Sequence, residues 1–237
     1  MLWVGTSGFQ YPEWRGSFYP DKLPISKMLP YYAEHFPTTE INYTFRRMPT
    51  VEILERWVIA TPLEFKFTLK APQEITHFRR LRDCEKVLGA FCNTLPALNS
   101  KLGVVLFQLP PGFARDIPVL ADFMEALPHG VRVAFEFRHS SWHDDEVFAL
   151  FKSKNAALCI ADSERMATPI VLTADFGYFR LRDEGYRDAD IACWAEKIAQ
   201  NRKGLRDVFV YFKHEEKGVG AEFAKQLMGL LSGLPDT

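Results

Sequence analysis

The sequence predicts a (β/α)₈ TIM barrel, with eight parallel strands in a single domain spanning residues 1–237. Short β-rich segments alternate with amphipathic helical patterns, as expected for parallel strands joined by crossovers. The length of 237 residues is close to the roughly 250 residues typical of this fold. Nearly every predicted strand also ends in polar residues. A barrel gathers such residues at one mouth, whereas the alternative, an open doubly wound sheet, needs them mainly at its switch point.

Eight short segments are rich in Val, Ile, Phe, Thr or Leu and are bounded by turn residues, which favours strands over short helices. They cover residues 2–8, 38–45, 65–72, 103–110, 132–139, 157–162, 176–182 and 207–214. Because strand side chains alternate between two faces, polar residues two apart, such as Glu136 and Arg138, point the same way.

Helical patterns fill the intervals, and most follow a residue that caps helices well. The expected caps are Thr50, Asp83, Asp116, Asp144 and Asp188. The first helix is expected near residues 26–36, and the last helix follows two glycines, Gly218 and Gly220. The interval between Asp162 and Phe176 is too short for a full helix, so only a turn is expected there.

Charge and composition exclude some classes of protein. The net charge is −1 and the sequence pI is about 6.6, which disfavours a globally basic nucleic-acid binder but allows a local basic patch. The start shows no signal-peptide pattern, and no apolar run approaches the roughly 18 residues of a membrane helix. The four cysteines lack metal-site spacing, so reduced thiols and a cytoplasmic location are expected, with no membrane and no identifiable protein partner.

Four strand-end residues are the candidate catalytic groups: Glu40, Lys70, Glu136 and Asp162. Two carboxylates at one barrel mouth are expected to serve as a general acid/base pair. The lysine suits an electrophile, an anion ligand or a Schiff-base amine, unless it simply forms an ion pair with Glu40. The structural alternative for the whole set is a polar plug in which opposite charges neutralise one another.

A second set is expected to bind the ligand: Ser7, Asn42, His77, Arg80, Gln108, Arg138, Arg180 and Lys213. Arginines after the second and third predicted strands, at positions 46, 47, 79, 80 and 82, form a candidate basic sector that would bind a phosphate, a carboxylate or a nucleic-acid backbone. The alternative is a solvated charged surface in which these arginines pair with acidic residues of the loops after strands five to eight. Gly218 and Gly220, near Arg180, Arg182 and Lys213, suggest a phosphate site at the start of the last helix.

No cofactor is predicted, and a divalent metal is the weaker alternative. His77, His139, His143 and His214 fall at or after strand ends, but no two of them form an HxH or HExxH pair. Satisfied loop or core histidines are the simpler interpretation.

Several segments together resemble the DUF72 (YecE-like) family over essentially the whole chain. These are GTSGFQYPEWRGSFYP, YYAEHFPTTEIN, FKFTLKAP, ITHFRRLRD, LGVVLFQLPP, VAFEFRHSSW, ADS and VYFKH, in that order. The resemblance implies a TIM barrel and no established reaction. The shared positions are Gly5, Ser7, Gly8, Tyr11, Trp14, Phe18, Tyr19, Pro20, Glu40, Asn42, Lys70, Gln108, Glu136, Arg138 and Asp162. The chain departs from the family pattern at residues 43–47, and again where Lys213, His214 and Glu215 replace an Asn-Asn-Asp run.

The aromatic segment after the first strand is interpreted as a flap across the mouth, in which Tyr11 and Trp14 stack on a base or sugar; the alternative is a loop that only packs beside the barrel. The leading hypothesis is an enzyme acting on a small anionic, phosphate-bearing substrate, or on nucleic acid. One alternative is a sugar isomerase or hydrolase that uses the same carboxylates. The other is a non-catalytic module that binds nucleic acid or a metabolite.

Overall fold

Eight parallel strands close into a barrel in a computed structural model that describes residues 1–162, 166–214 and 216–233. Each strand pairs with its neighbour in the chain, and β8 returns to pair with β1. The strands are β1 Leu2–Ser7, β2 Thr38–Ile41, β3 Lys66–Lys70, β4 Leu102–Gln108, β5 Val133–Glu136, β6 Ala157–Asp162, β7 Phe176–Leu181 and β8 Asp207–Phe212. The predicted fold class is therefore confirmed, and the open-sheet alternative is excluded.

Helices surround the strands on the outside. They are α1 Met28–Ala33, α2 Tyr43–Arg46, α3 Val51–Ile59, α4 Glu85–Cys92, α5 Ile117–Glu125, α6 Asp145–Lys154, α7 Asp188–Asn201 and α8 Val219–Gly233. A single π-type turn, Glu74–Phe78, follows β3, and short 3₁₀ segments lie at Pro12–Trp14, Ile25–Lys27, Leu95–Lys101 and Ser140–Trp142. Within the described part of the chain, no helix is both long enough and apolar enough to cross a bilayer.

The connection from β6 to β7 contains no helix among its described residues, 166–175, in line with the short interval. The Thr168 N–H donates to the Ala161 carbonyl at 2.9 Å. The Thr173 hydroxyl donates to the Ala156 carbonyl and accepts from the Leu158 N–H. These bonds hold the connection along β6 in place of a crossover helix.

The predicted helix caps are partly correct. Thr50, Asp116 and Asp144 each accept a hydrogen bond from a backbone N–H in the first turn of their helix. Asp83 does not cap α4, because that helix begins after Cys84 and Asp83 adopts a φ of 47°. Asp188 is the first residue of α7 rather than its cap.

Below the mouth, the barrel interior is filled by large side chains from some strands and small side chains from others. Large side chains from β1, β7 and β8, among them Trp3, Phe176 and Phe209, face small residues from β5 and β6 such as Ala134 and Cys159. Alternation of large and small residues lets opposite strands fill a barrel without voids. This apolar layer closes the barrel from below, so the polar strand ends form a floor and not a channel.

Candidate functional site at the barrel mouth

The centre of the mouth is a guanidinium held between two buried carboxylates. Arg180 on β7 donates from Nε and Nη2 to the Glu40 carboxylate on β2, with N–O distances between 2.8 and 3.1 Å. Its Nη1 donates to Glu136 Oε2 on β5 at 2.7 Å. All three side chains are at most 1% exposed. Charges from three separate strands therefore converge, as parallel strand ends do in a closed barrel.

Hydroxyl and amide groups complete the environment of Glu40. The Ser7 hydroxyl donates to Glu40 Oε1, and the Tyr178 hydroxyl donates to Oε2 at 2.6 Å. Asn42 Nδ2 donates to Ser7 Oγ at 2.8 Å. Asn42 lies one residue beyond β2, which ends at Ile41 and not at the predicted residue 45. It still reaches the cluster because the chain turns into α2 over the mouth.

Gln108 links Glu136 to the candidate lysine. Its Nε2 donates to Glu136 Oε2 at 2.7 Å, and its Oε1 accepts from Lys70 Nζ at 2.9 Å. The Lys70 nitrogen also lies 4.0 Å from the centroid of the Phe45 ring. Lys70 thus contacts a neutral amide and a ring face, and its expected alternative, an ion pair with Glu40, does not form.

Both carboxylates are held in the ionised form. Burial by itself would raise the pKa of Glu136, but Arg180 and Arg138 lower it well below its usual range. Burial likewise opposes ionisation of Glu40, and the Arg180 charge and hydrogen bonds overcome it and lower that pKa. An ionised carboxylate has no proton to give. The geometry therefore favours a role for the pair in orienting the arginines, and it does not favour the predicted role as general acid and base.

The lysine and the neighbouring histidine are shifted towards their neutral forms. Burial, together with the nearby Arg180 charge, lowers the pKa of Lys70 to about 7. Burial and the Lys70 charge lower the pKa of His77 to about 4. The His77 ring contacts the same Phe45 ring as Lys70, with centroids 4.9 Å apart. At neutral pH the mouth therefore holds an uncharged imidazole and an amine that is half deprotonated.

Cations and carboxylates both line the outer edge of the mouth, where Glu184 and Glu216 share a cavity with Arg182 and Lys213. Glu136 Oε1 lies 3.1 Å from Arg138 Nε and 3.6 Å from Arg182 Nη1, while Arg180 occupies its other oxygen. The Arg138 and Arg182 side chains are 30% and 27% exposed, so solvent reaches both. Arg182 and Lys213 also line a cavity of about 530 Å³ at the ends of β7 and β8.

Asp162 does not join this cluster. Its Oδ2 accepts from Tyr186 Oη at 2.8 Å and from Trp194 Nε1 at 3.0 Å, and it lines a separate depression of about 220 Å³. The reason is strand alternation, because Cys159 and Ala161 face the barrel interior and Asp162 therefore faces the helices. The expectation that four catalytic candidates converge thus holds for Glu40, Lys70 and Glu136 only.

The aromatic segment after β1 packs beside the barrel. Trp14 is fully buried, and its ring contacts Tyr19 and Phe18, which in turn contacts Tyr32 of α1. Trp14 therefore presents no exposed face to a ligand, contrary to the expected flap. Tyr11 is half-buried, donates from its hydroxyl to the Ser7 carbonyl at 2.7 Å, and lines a cavity of about 430 Å³ beside the mouth.

The basic sector is partly neutralised. Arg79 pairs with Glu74 at 3.0 Å, and Arg82 pairs with Asp116 at 2.5 Å. Arg80 is exposed and has a φ of 50°. It lies in the turn after the π-type segment and not in the buried cluster. Gly218, with a φ of 80°, immediately precedes α8, as the expected phosphate site requires.

Potential metal ligands do not cluster in the described residues. No group of three or more His, Cys, Asp or Glu side chains there could hold a metal ion. His214 Nε2 donates to the Asp183 carbonyl at 2.6 Å, and His139 Nδ1 lies 2.8 Å from Ser141 Oγ. Among the described residues, however, His214 Nδ1 and His143 Nε2 are buried without a hydrogen-bond partner, so these two histidines are only partly satisfied. Glu215 lies outside the described residues.

Two groups of the site were missed from the sequence. Tyr178 lies two residues before Arg180 on β7, so strand alternation alone was enough to place it on the same face. Phe45 gave no such signal, because it was predicted to end a strand and instead lies in α2.

A family model described as a protein of unknown function, DUF72, matches residues 3–236. The chain belongs to the DUF72 family. It is similar to the UPF0759 protein YunF of Bacillus subtilis, with 27% identity covering 98% of this chain and 95% of that protein. It is also similar to the UPF0759 protein YecE of Escherichia coli, with 31% identity covering 59% of this chain and 49% of that protein.

Solved DUF72 structures share the barrel. A DUF72 protein from Thermotoga maritima has a TM-score of 0.89 and 25% identity, covering 98% of this chain and 99% of that one. A DUF72 protein from Enterococcus faecalis has a TM-score of 0.82 and 20% identity, covering 99% and 97%. DUF72 membership therefore gives the family and its fold, and these names assign no reaction or substrate.

Most of the DUF72 motif residues at the strand ends meet in the buried cluster. Those that do are Ser7, Glu40, Asn42, Lys70, Gln108, Glu136 and Arg138. Where the chain departs from the family motif, Lys213 and His214 lie at the end of β8, and both line the cavity shared with Arg182. This departure adds a positive charge to the outer mouth.

Proposed function

We propose that the chain is an enzyme acting on a small substrate that carries a phosphate or another compact anion. The substrate anion would lie against Arg138 and Arg182, with Lys213 contributing from β8. The observation that supports this most strongly is the sharing of one carboxylate, Glu136, by three guanidinium groups. Because Arg180 is also paired with Glu40, the two carboxylates leave one of the three guanidinium charges unbalanced, and an incoming anion would supply that negative charge.

The buried carboxylates would act as positioning groups in this scheme. Glu40 and Glu136 fix Arg180 from two sides, and Glu136 then orients the exposed guanidinium groups. Because the arginines are held before the substrate arrives, little side-chain entropy is lost on binding. Gln108 and Asn42 would orient the polar part of the substrate. The 530 Å³ cavity at β7 and β8 is of the size that small-molecule sites occupy.

We favour a small anion over nucleic acid as the ligand, because some arginines of the basic sector already form ion pairs with carboxylates. Two of its arginines, Arg79 and Arg82, are engaged by carboxylates, whereas Arg138 and Arg182 share a single buried one. The sugar isomerase or hydrolase alternative needs a carboxyl group that can donate a proton, and arginines hold both buried carboxylates ionised. All four cysteines are free thiols, which is consistent with the cytoplasmic location that we propose.

The anion site is tested by calorimetric titration with inorganic pyrophosphate. We expect Arg138→Gln and Arg182→Gln each to weaken binding by about tenfold or more, since each removes a charge-assisted hydrogen bond. Arg206→Gln is the matched control, because Arg206 pairs with Asp175 before β8 begins, at the opposite end of the barrel. Unchanged affinity in both mouth variants would contradict the proposed site.

Nucleic acid is distinguished by salt dependence. Binding of single-stranded DNA that weakens steeply with salt and is lost in a variant of Arg46, Arg47 and Arg80 would favour the nucleic-acid module instead. For the proposed small-anion site, we expect this triple substitution to leave pyrophosphate affinity unchanged.

A further inference from the structure

Two buried lysines in this chain have opposite surroundings. Lys101 is 5% exposed, and its amine donates to the Val58 and Thr61 carbonyls and to Thr61 Oγ1, at 2.7 to 3.1 Å. This is how an ammonium group is satisfied when its role is structural. Lys70 is 6% exposed, yet among the described residues its amine has a single hydrogen-bond acceptor, Gln108 Oε1. The rest of its immediate contact is the Phe45 ring.

Burial disfavours the ammonium form of Lys70, and no described carboxylate is close enough to compensate it with an ion pair. Both nearby carboxylates are taken up by arginines, and Lys70 forms no ion pair within 4.0 Å among the described residues. Burial is the largest cause that lowers the pKa of Lys70; Arg180 and Arg138 lower it further, while Glu136 and Glu40 act in the opposite direction. With its pKa lowered to about 7, Lys70 has a far larger uncharged fraction at neutral pH than an ordinary lysine, whose pKa is near 10.4.

We propose that Lys70 is a nucleophile that forms an imine with an aldehyde or ketone group of the anionic substrate. The inference rests on the proposed function, because the anion site on Arg138 and Arg182 would hold the substrate beside the amine. Lys70 and Arg138 are joined through Gln108 and Glu136, so the amine and the anion site belong to one hydrogen-bonded unit. The substrate class is therefore a small carbonyl compound bearing a phosphate or carboxylate.

The chemistry needs no oxidant or reductant. The lone pair of the neutral Lys70 amine attacks the carbonyl carbon, and the carbonyl π electrons move to oxygen. Proton transfer from nitrogen to oxygen gives a carbinolamine, which loses hydroxide and a proton as water to form the imine. His77 is uncharged at neutral pH and contacts the same Phe45 ring as Lys70.

Reductive trapping with pyridoxal 5′-phosphate tests the proposal, because this probe carries both an aldehyde and a phosphate. The protein is incubated with the probe and sodium cyanoborohydride near pH 7, digested, and mapped by peptide mass spectrometry. We expect Lys70 to be labelled at least about tenfold faster than any other lysine, given its larger neutral fraction. Labelling spread over surface lysines, or concentrated on Lys213, would overturn the proposal.

Two variants and a second probe separate the possible failures. Lys70→Gln should lose the fast labelling, whereas Lys66→Gln, on the same strand at the opposite end of the barrel, should retain it. Pyridoxal without the phosphate should label Lys70 about tenfold more slowly if the anion site contributes. Equal labelling by both probes would contradict the anion site and leave the imine standing. Binding of pyridoxal 5′-phosphate without labelling of Lys70 would contradict the imine alone.

Discussion

Replacing Arg180 with methionine is expected to destabilise the fold by about 3–5 kcal/mol, since removing one partner of a buried ion pair leaves uncompensated charge. The uncompensated charge is mainly that of Glu40, because Arg180 is its only salt-bridge partner among the described residues. Glu136 keeps Arg138 and Arg182. The measurement is the shift in the urea midpoint, followed by tryptophan fluorescence at pH 8.

The pH dependence of this variant identifies the cause. Without the arginine, burial raises the folded-state pKa of Glu40 above the unfolded value of about 4.3. The folded state then binds more protons than the unfolded state between those two values, so lowering the pH stabilises it. We expect the stability gap between the wild type and Arg180→Met to narrow as the pH falls from 8 to 5.

Arg182→Met is the matched control, because this residue lies two positions further along the same chain segment and its side chain is 27% exposed. A partly exposed ion pair contributes about 1 kcal/mol or less. A gap for Arg180→Met that stays constant with pH, or that is no larger than the control's, would show that the buried carboxylates do not depend on the arginine.

Replacing Lys70 with methionine is expected to stabilise the protein by about 1–3 kcal/mol at pH 6, because a buried ammonium without an ion pair is removed. The folded-state pKa of Lys70 is lowered to about 7, whereas the unfolded value is about 10.4. Between these values the unfolded state binds more protons, so wild-type stability rises with pH. The advantage of Lys70→Met should therefore shrink between pH 7 and pH 10, as measured by urea unfolding at a series of pH values.

Lys101→Met serves as the control with the opposite sign. Its loss leaves the Val58 and Thr61 carbonyls without their donor, at a cost of about 1–3 kcal/mol. If Lys70→Met destabilises the protein as much as Lys101→Met does, the Lys70 amine is a structural group and not one held ready for chemistry.

The effects expected for Arg180→Met and Lys70→Met assign different roles to residues of the mouth: some stabilise the fold, and Lys70 is proposed to carry the chemistry. Glu40, Arg180 and Glu136 form a saturated, buried unit that holds the arginines in place. Among the described residues Lys70 has no ionic partner, and the proposed imine chemistry would use the amine that this arrangement leaves available. A loss of stability at a functional group is common in enzymes, because a reactive group is often an incompletely satisfied one.

The sequence by itself determined the barrel, the order of its strands and most of the residues at its mouth. Strand composition, helix spacing and polar strand ends are local properties, and closure then brings those ends to one place. The length of a single interval also predicted that residues 166–175, the described part of the connection after β6, form no helix.

Tertiary structure alone decided which charges meet and what each one contacts. Asp162 ends a strand as Glu136 does, yet it faces the helices, because a shift of one position in the alternation reverses the face. Trp14 was predicted to stack on a ligand and is buried beside α1. Lys70 and Lys101 are both buried, but within the described part of the chain the Lys101 amine donates to three oxygen atoms and the Lys70 amine to one. This difference in contacts distinguishes a structural lysine from a candidate nucleophile. Those contacts come from strands and loops far apart in the chain, so no local pattern encodes them.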